Sequence, residues 1–114
     1  MVISVGGETA NFPTAASLVP AMASSLAILV AKYGFDGVDL DDEDPGKQAD
    51  LGNRADMIIK IVQQLRTQLN GVDATRPLSY AGASLIILTP EAMYIGDNDS
   101  SQWGWNSYVQ VLHT

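Results

Sequence analysis

Residues 36–43 read Asp-Gly-Val-Asp-Leu-Asp-Asp-Glu, and this run limits the chain more than any other. Along an extended strand successive side chains point to opposite faces, so Gly37, Asp39, Asp41 and Glu43 fall on one side and Val38 and Leu40 on the other. A chain that hides Val38 and Leu40 while keeping three carboxylates opposite them needs a sheet with one oily face and one polar face. Carboxylates two apart on a strand lie roughly 6 to 7 Å apart. At that spacing the charge on one acid disfavours the charge on its neighbour, which is how a general acid is made.

The flanking segments predict how that strand is supported. Val2-Ile3-Ser4-Val5 is a short β-rich run stopped by Gly6-Gly7, the pattern of a strand whose carboxyl end opens into a loop. Residues 20–33 carry Met22, Leu26, Leu29 and Val30 at helical spacing, with Pro20 suited to a first helical position and Gly34 to the stop. Residues 35–40 form the second strand. After Asp44-Pro45-Gly46, the residues Met57, Ile58, Ile61, Val62, Leu65 and Leu69 predict a second helix, with Asn70-Gly71 as its end. Residues 85–88 form a third strand blocked by Pro90, and a polar loop over 97–101 leads into a short helix over 106–112. The order βαβαβα predicts an α/β fold with parallel neighbouring strands and helices covering the sheet. In such folds the site lies at the carboxyl ends of the strands, where Gly6-Gly7, Glu43 and Pro90-Glu91 all fall.

Composition narrows the function classes. A chain of 114 residues, 46% hydrophobic, suits one domain with one core. A net charge of −7 with six lysines and arginines in no basic stripe disfavours nucleic acid as a partner. It does not disfavour a neutral polymer such as a sugar chain. Zero cysteines remove disulfides, thiolate zinc sites and a cysteine nucleophile together. Residues 19–30 are interrupted by Ser24 and Ser25 and fall short of the roughly 18 apolar residues that span a bilayer, so no membrane partner is expected. No basic region precedes an apolar stretch, so no signal peptide is visible.

The acidic run resembles the Asp-x-x-Asp-x-Asp-x-Glu signature of family-18 glycoside hydrolases, the chitinases and endo-β-N-acetylglucosaminidases. Ser4-Val5-Gly6-Gly7 is similar to the Ser-x-Gly-Gly strand that precedes this signature by one helix. Leu88-Thr89-Pro90-Glu91-Ala92-Met93-Tyr94 resembles the strand-end segment one helix later. The resemblance implies a partial catalytic domain over residues 1–114, about three βα units from the central part of a TIM (β/α)8 barrel, against about 250 residues for a complete barrel. It implies hydrolysis of N-acetylglucosamine glycosides in chitin or glycans, with Glu43 protonating the glycosidic oxygen. Asp41 would orient the substrate's own N-acetyl group as nucleophile, a scheme that dispenses with a second catalytic glutamate. Asp39 would share a proton or hydrogen bond with Asp41. Gly7, Glu91 and Tyr94 would contact substrate, while Gly6 and Asp36 would be structural, Asp36 securing the entry of the strand. No cofactor or metal is implied, and secretion is suggested by the resemblance alone. The barrel's other strands would supply a tyrosine against the acetamido group and a tryptophan floor, which nothing in this chain matches. Asp42 stands where many chitinases have an aromatic or apolar residue and is closer to the endo-β-N-acetylglucosaminidases, while Pro90-Glu91 is closer to the chitinases, so both substrate classes stay open.

Competing readings are weaker. Asp39, Asp41 and Glu43 alternate like the first ligands of a calcium loop, but Asp44 stands where such a loop needs glycine and Asp50 where it needs the closing glutamate. Trp103 and Trp105 fit packing or an uncovered interface better than sugar stacking. His113 has no partner in sequence, and Ser24, Ser25 and Ser84 lack a base for a hydrolase triad. A noncatalytic carbohydrate-binding or self-assembling module that keeps the motif is the alternative from another class. An open sheet of three parallel strands leaves edges uncovered, which predicts self-association.

Overall fold

The computed structural model describes residues 1–7, 12–13, 15–41, 51–76 and 83–89, with the backbone alone described for 51–55. Strand β1 (Val2–Gly6) is followed by a 3-10 turn (Ala16–Leu18) that runs into helix α1 (Val19–Tyr33). Strand β2 (Gly37–Asp41), helix α2 (Leu51–Asp73) and strand β3 (Leu85–Leu88) complete the described elements. The strands form one sheet in the order β1-β2-β3, both pairings parallel, with the acidic strand in the centre. The α/β class and parallel sheet therefore agree with the sequence reading, and the expected helix over 106–112 lies outside the described residues.

Register explains the placement of the side chains. Ile3, Val38 and Ile86 form one row across the sheet, and Val5, Leu40 and Leu88 the next. All six face the helices and join the core with Val19, Ala23, Leu26, Ala27 and Val30 of α1 and Ile61, Leu65 and Leu69 of α2. Burial of Val38 and Leu40 alone contributes about 1.5 to 3 kcal/mol each. The intervening rows, Ser4 with Asp39 and Ile87, and Gly6 with Asp41, fall on the opposite face by the same alternation. Both described helices lie on the oily side.

Helix boundaries follow local chemistry except at one end. Pro20 sits in the first turn of α1, and Gly34 closes it in a left-handed conformation at φ 70°. Helix α2, however, runs through Asn70 and Gly71 to Asp73. The expected stop there is overridden by tertiary packing, since Val72 in the next positions is held against the core. The helix ends instead at Ala74 and Thr75, where the Ala74 N–H donates to the Asn70 carbonyl at 3.1 Å and the Thr75 hydroxyl to the Val72 carbonyl at 2.8 Å. The second strand also begins later than expected: Phe35 packs against the core ahead of it, and pairing starts at Gly37.

One apolar helix runs longer than the stretch over 19–30 marked in the sequence. Ala16–Tyr33, 18 residues long, is apolar and long enough to cross a bilayer by length and composition. The 3-10 turn adds its residues to the helix, and Ser24 and Ser25 do not lower the hydropathy enough to fail the test. One stripe of this helix is buried in the core, while Leu18 and Ile28 are exposed on its outer side.

A buried polar cluster locks the amino end of the sheet. Ser84, directly before β3, is 1% exposed. Its N–H and hydroxyl donate to the Asp73 carboxylate at 2.7 and 2.5 Å, and Arg76 donates to the Ser84 hydroxyl at 3.0 Å and to the Val30 carbonyl at 3.4 Å. The ends of both helices and the start of β3 are tied by these bonds.

Candidate active site at the carboxyl end of the acidic strand

Glycine chemistry shapes the carboxyl rim. Gly6 has φ 121° and Gly7 φ 104°, values that favour glycine over any L side chain. The Gly7 N–H donates to the Asp41 carbonyl at 2.9 Å, closing the β1–β2 pair at its last rung. A Cβ on Gly6 would lie 1.9 Å from that same carbonyl oxygen. Gly37 has an equivalent reason at the other end of β2, where a Cβ would lie 2.2 Å from the Leu85 carbonyl oxygen. The two glycines let β1 and β3 close tightly on the acidic strand.

Asp39 and Asp41 lie on the polar face of β2, both partly exposed. The Asp39 carboxylate is held from both sides. The Ser4 hydroxyl, in register on β1, donates to Oδ2 at 2.9 Å, and the Thr89 hydroxyl, just past β3, donates to Oδ1. Both Asp39 oxygens are thus taken by hydroxyls, and among the described residues no hydrogen bond joins Asp39 to Asp41. Asp41 stands one pleat nearer the carboxyl rim, beside Gly6.

The remaining site expectations divide by position. Asp36 is at the amino end of β2, where its N–H donates to the Met1 carbonyl at 2.7 Å and its carbonyl accepts from the Leu85 N–H at 2.9 Å, while its carboxylate pairs with the Met1 amino group. It ties the entry of the central strand to both neighbours and stands at the other end of β2 from the Gly6–Asp41 rim. Glu43, Glu91 and Tyr94 lie outside the described residues. Sequence reasoning passed over Ser4 and Thr89 as site residues. Period-2 alternation puts Leu85, Ile87 and Thr89 on one face of the third strand, and the β2–β3 register makes that the face of Gly37, Asp39 and Asp41.

Comparison with known proteins gives one relative to set beside this geometry. The chain is 28% identical over 116 residues to chitinase Chi52 of Paenibacillus xylanexedens, a match covering 99% of this chain and 22% of that protein. The chain therefore spans less than a quarter of the length of the relative it matches. No family model matches the chain, and no solved structure matches it. A distant chitinase-like relationship is what the identity supports.

Proposed function

We propose that this chain carries the acidic wall of a glycoside hydrolase site that cleaves N-acetylglucosamine glycosides by substrate-assisted retention. The observation that carries the reading is the pair Asp39 and Asp41 on the polar face of a central parallel strand, with the Gly6-Gly7 bend closed onto the Asp41 carbonyl at the rim. The distant identity to a chitinase, across nearly all of this chain and 22% of that protein, supports it. The placement of both described helices on the face of Val38 and Leu40 suits a sector of a TIM-type barrel, in which the acid face would line the interior.

In this mechanism Glu43 gives its proton to the glycosidic oxygen as the bond to the anomeric carbon breaks. The carbonyl oxygen of the substrate's acetamido group attacks that carbon from the opposite side, and Asp41 holds the acetamido N–H and balances the charge developing on it. Water then opens the cyclic intermediate with Glu43 acting as base, and the configuration is retained. Asp39 sustains the negative field behind Asp41. Gly7, Glu91 and Tyr94 contact the sugar. Chitin fragments and N-glycan cores both carry the required acetamido group, and chito-oligosaccharides are the first choice because the relative is a chitinase.

The test is fluorophore release from a chito-oligosaccharide glycoside by the wild type and Glu43→Gln, with matched far-ultraviolet circular dichroism. Turnover lost in the variant supports hydrolysis. A second reading, a carbohydrate-binding or self-associating module without turnover, draws on the sheet of the described residues, in which β1 and β3 are the outer strands and Ile87 is 38% exposed on the acid face. Binding of the oligosaccharide with no release by the folded wild type would favour that reading.

A further inference from the structure

We propose that Thr89 is a positioning residue for the acidic pair, acting through Asp39. The inference rests on the hydrolase reading and deepens it by assigning a role to the third strand. The Thr89 N–H donates to the Leu40 carbonyl at 3.1 Å, which continues the β2–β3 ladder one rung past Leu88 and fixes the backbone from which the side chain projects. Alternation along the strand sends that side chain to the acid face. There its hydroxyl donates to Asp39 Oδ1 while Ser4 donates to Oδ2.

The consequence is a division of labour between two adjacent acids. A carboxylate whose two oxygens are engaged by hydroxyls on opposite sides is fixed in rotation, and its hydrogen-bonding capacity toward Asp41 is reduced. Asp41 is then left to address the acetamido group and Glu43 rather than Asp39. Threonine suits the task because its branched Cβ restricts χ1, so the hydroxyl is aimed with little freedom to lose. Loss of the Thr89 hydroxyl releases Asp39 Oδ1, lets the two acids rearrange against each other, and slows the chemical step without removing any group that touches substrate.

The experiment compares Thr89→Val, which keeps the shape and loses the hydroxyl, with Thr89→Ser, which keeps the hydroxyl, on the fluorogenic chito-oligosaccharide. The expected result is a fall in kcat of about tenfold for Thr89→Val with KM within about twofold, and recovery to within about threefold by Thr89→Ser. Equal kcat in the wild type and Thr89→Val, with turnover still abolished by Glu43→Gln, overturns the role of Thr89 and leaves the hydrolase reading intact. If the folded wild type shows no turnover, the hydrolase reading fails by itself, and the clamp is judged by a double-mutant cycle of Thr89→Val with Asp39→Ala in urea. Non-additivity of about threefold or more in the unfolding equilibrium constant then supports the clamp, and additivity overturns it.

Discussion

Substitution of Gly6 by alanine tests whether close approach at the carboxyl rim, and not merely an unusual turn, dictates the glycine. The new Cβ would stand 1.9 Å from the Asp41 carbonyl oxygen, 2.7 Å from its carbon and 3.1 Å from Phe12 Cε2, where ordinary contact begins at 3.4 Å. The nearest atom is backbone, so relief requires β1 and β2 to part by about 1.5 Å at their last rung, the difference between 3.4 and 1.9 Å. That movement breaks the 2.9 Å bond from the Gly7 N–H to the Asp41 carbonyl, a loss of about 1 kcal/mol. Holding alanine at φ 121° adds about 1 to 3 kcal/mol. The expected destabilisation is therefore about 2 to 4 kcal/mol, or a fall in Tm of roughly 10 °C or more for a domain of this size. Gly7→Ala supplies the internal control: its φ of 104° carries the same kind of strain, but a Cβ there meets nothing within 4 Å. Urea unfolding of the two variants beside the wild type separates the contributions. Equal losses for Gly6→Ala and Gly7→Ala would refute the steric argument and leave only backbone conformation.

Three further outcomes follow from the same packing. Leu65→Ala removes a side chain with no exposure from the centre of α2, and urea unfolding should show a loss of about 2 to 5 kcal/mol. Ser84→Ala strips a donor and an acceptor from the Asp73–Ser84–Arg76 cluster, which should cost about 1 to 3 kcal/mol by the same measurement because the partners stay buried; a cost below about 0.5 kcal/mol would contradict the locking role given to the cluster. Self-association through β1 and β3, the outer strands among the described residues, should appear in sedimentation as a mass that rises with concentration. A monodisperse monomer that binds no dye for exposed apolar surface would refute it.

How much of this was legible in sequence depends on whether the deciding force was local. The alternation in 37–41 needed only the period of a strand, and Gly34 after a helical stripe needed only the left-handed stop. Asn70-Gly71 misled because a local stop signal competed with burial of Val72, and the burial prevailed. The apolar stretch over 19–30 read short because its extension through the 3-10 turn at 16–18 and through Tyr33 is a matter of helix bounds rather than of the apolar run itself. Ser4 and Thr89 stayed hidden for a different reason. Their roles arise from lateral register, Ser4 opposite Asp39 and Thr89 one rung past Leu88, and register between strands separated by whole helices is written in no short motif.

Lateral register also argues that the acid face has a purpose beyond solubility. A solvated edge could hold its carboxylates anywhere along an outer strand, where charges also discourage unwanted pairing. Here they occupy the central strand, flanked in register by a serine on one side and followed by a threonine on the other, while the glycines at both ends of β2 let the neighbouring backbones close in. Acids in the middle of a parallel sheet lie between two neighbouring strands, each of which can supply a hydroxyl donor to them. Ser4 and Thr89 do so at Asp39 and leave Asp41, nearer the rim, outside their bonds. This asymmetry between two adjacent acids is what the proposed site, in which one carboxylate is held and the next one works, would use.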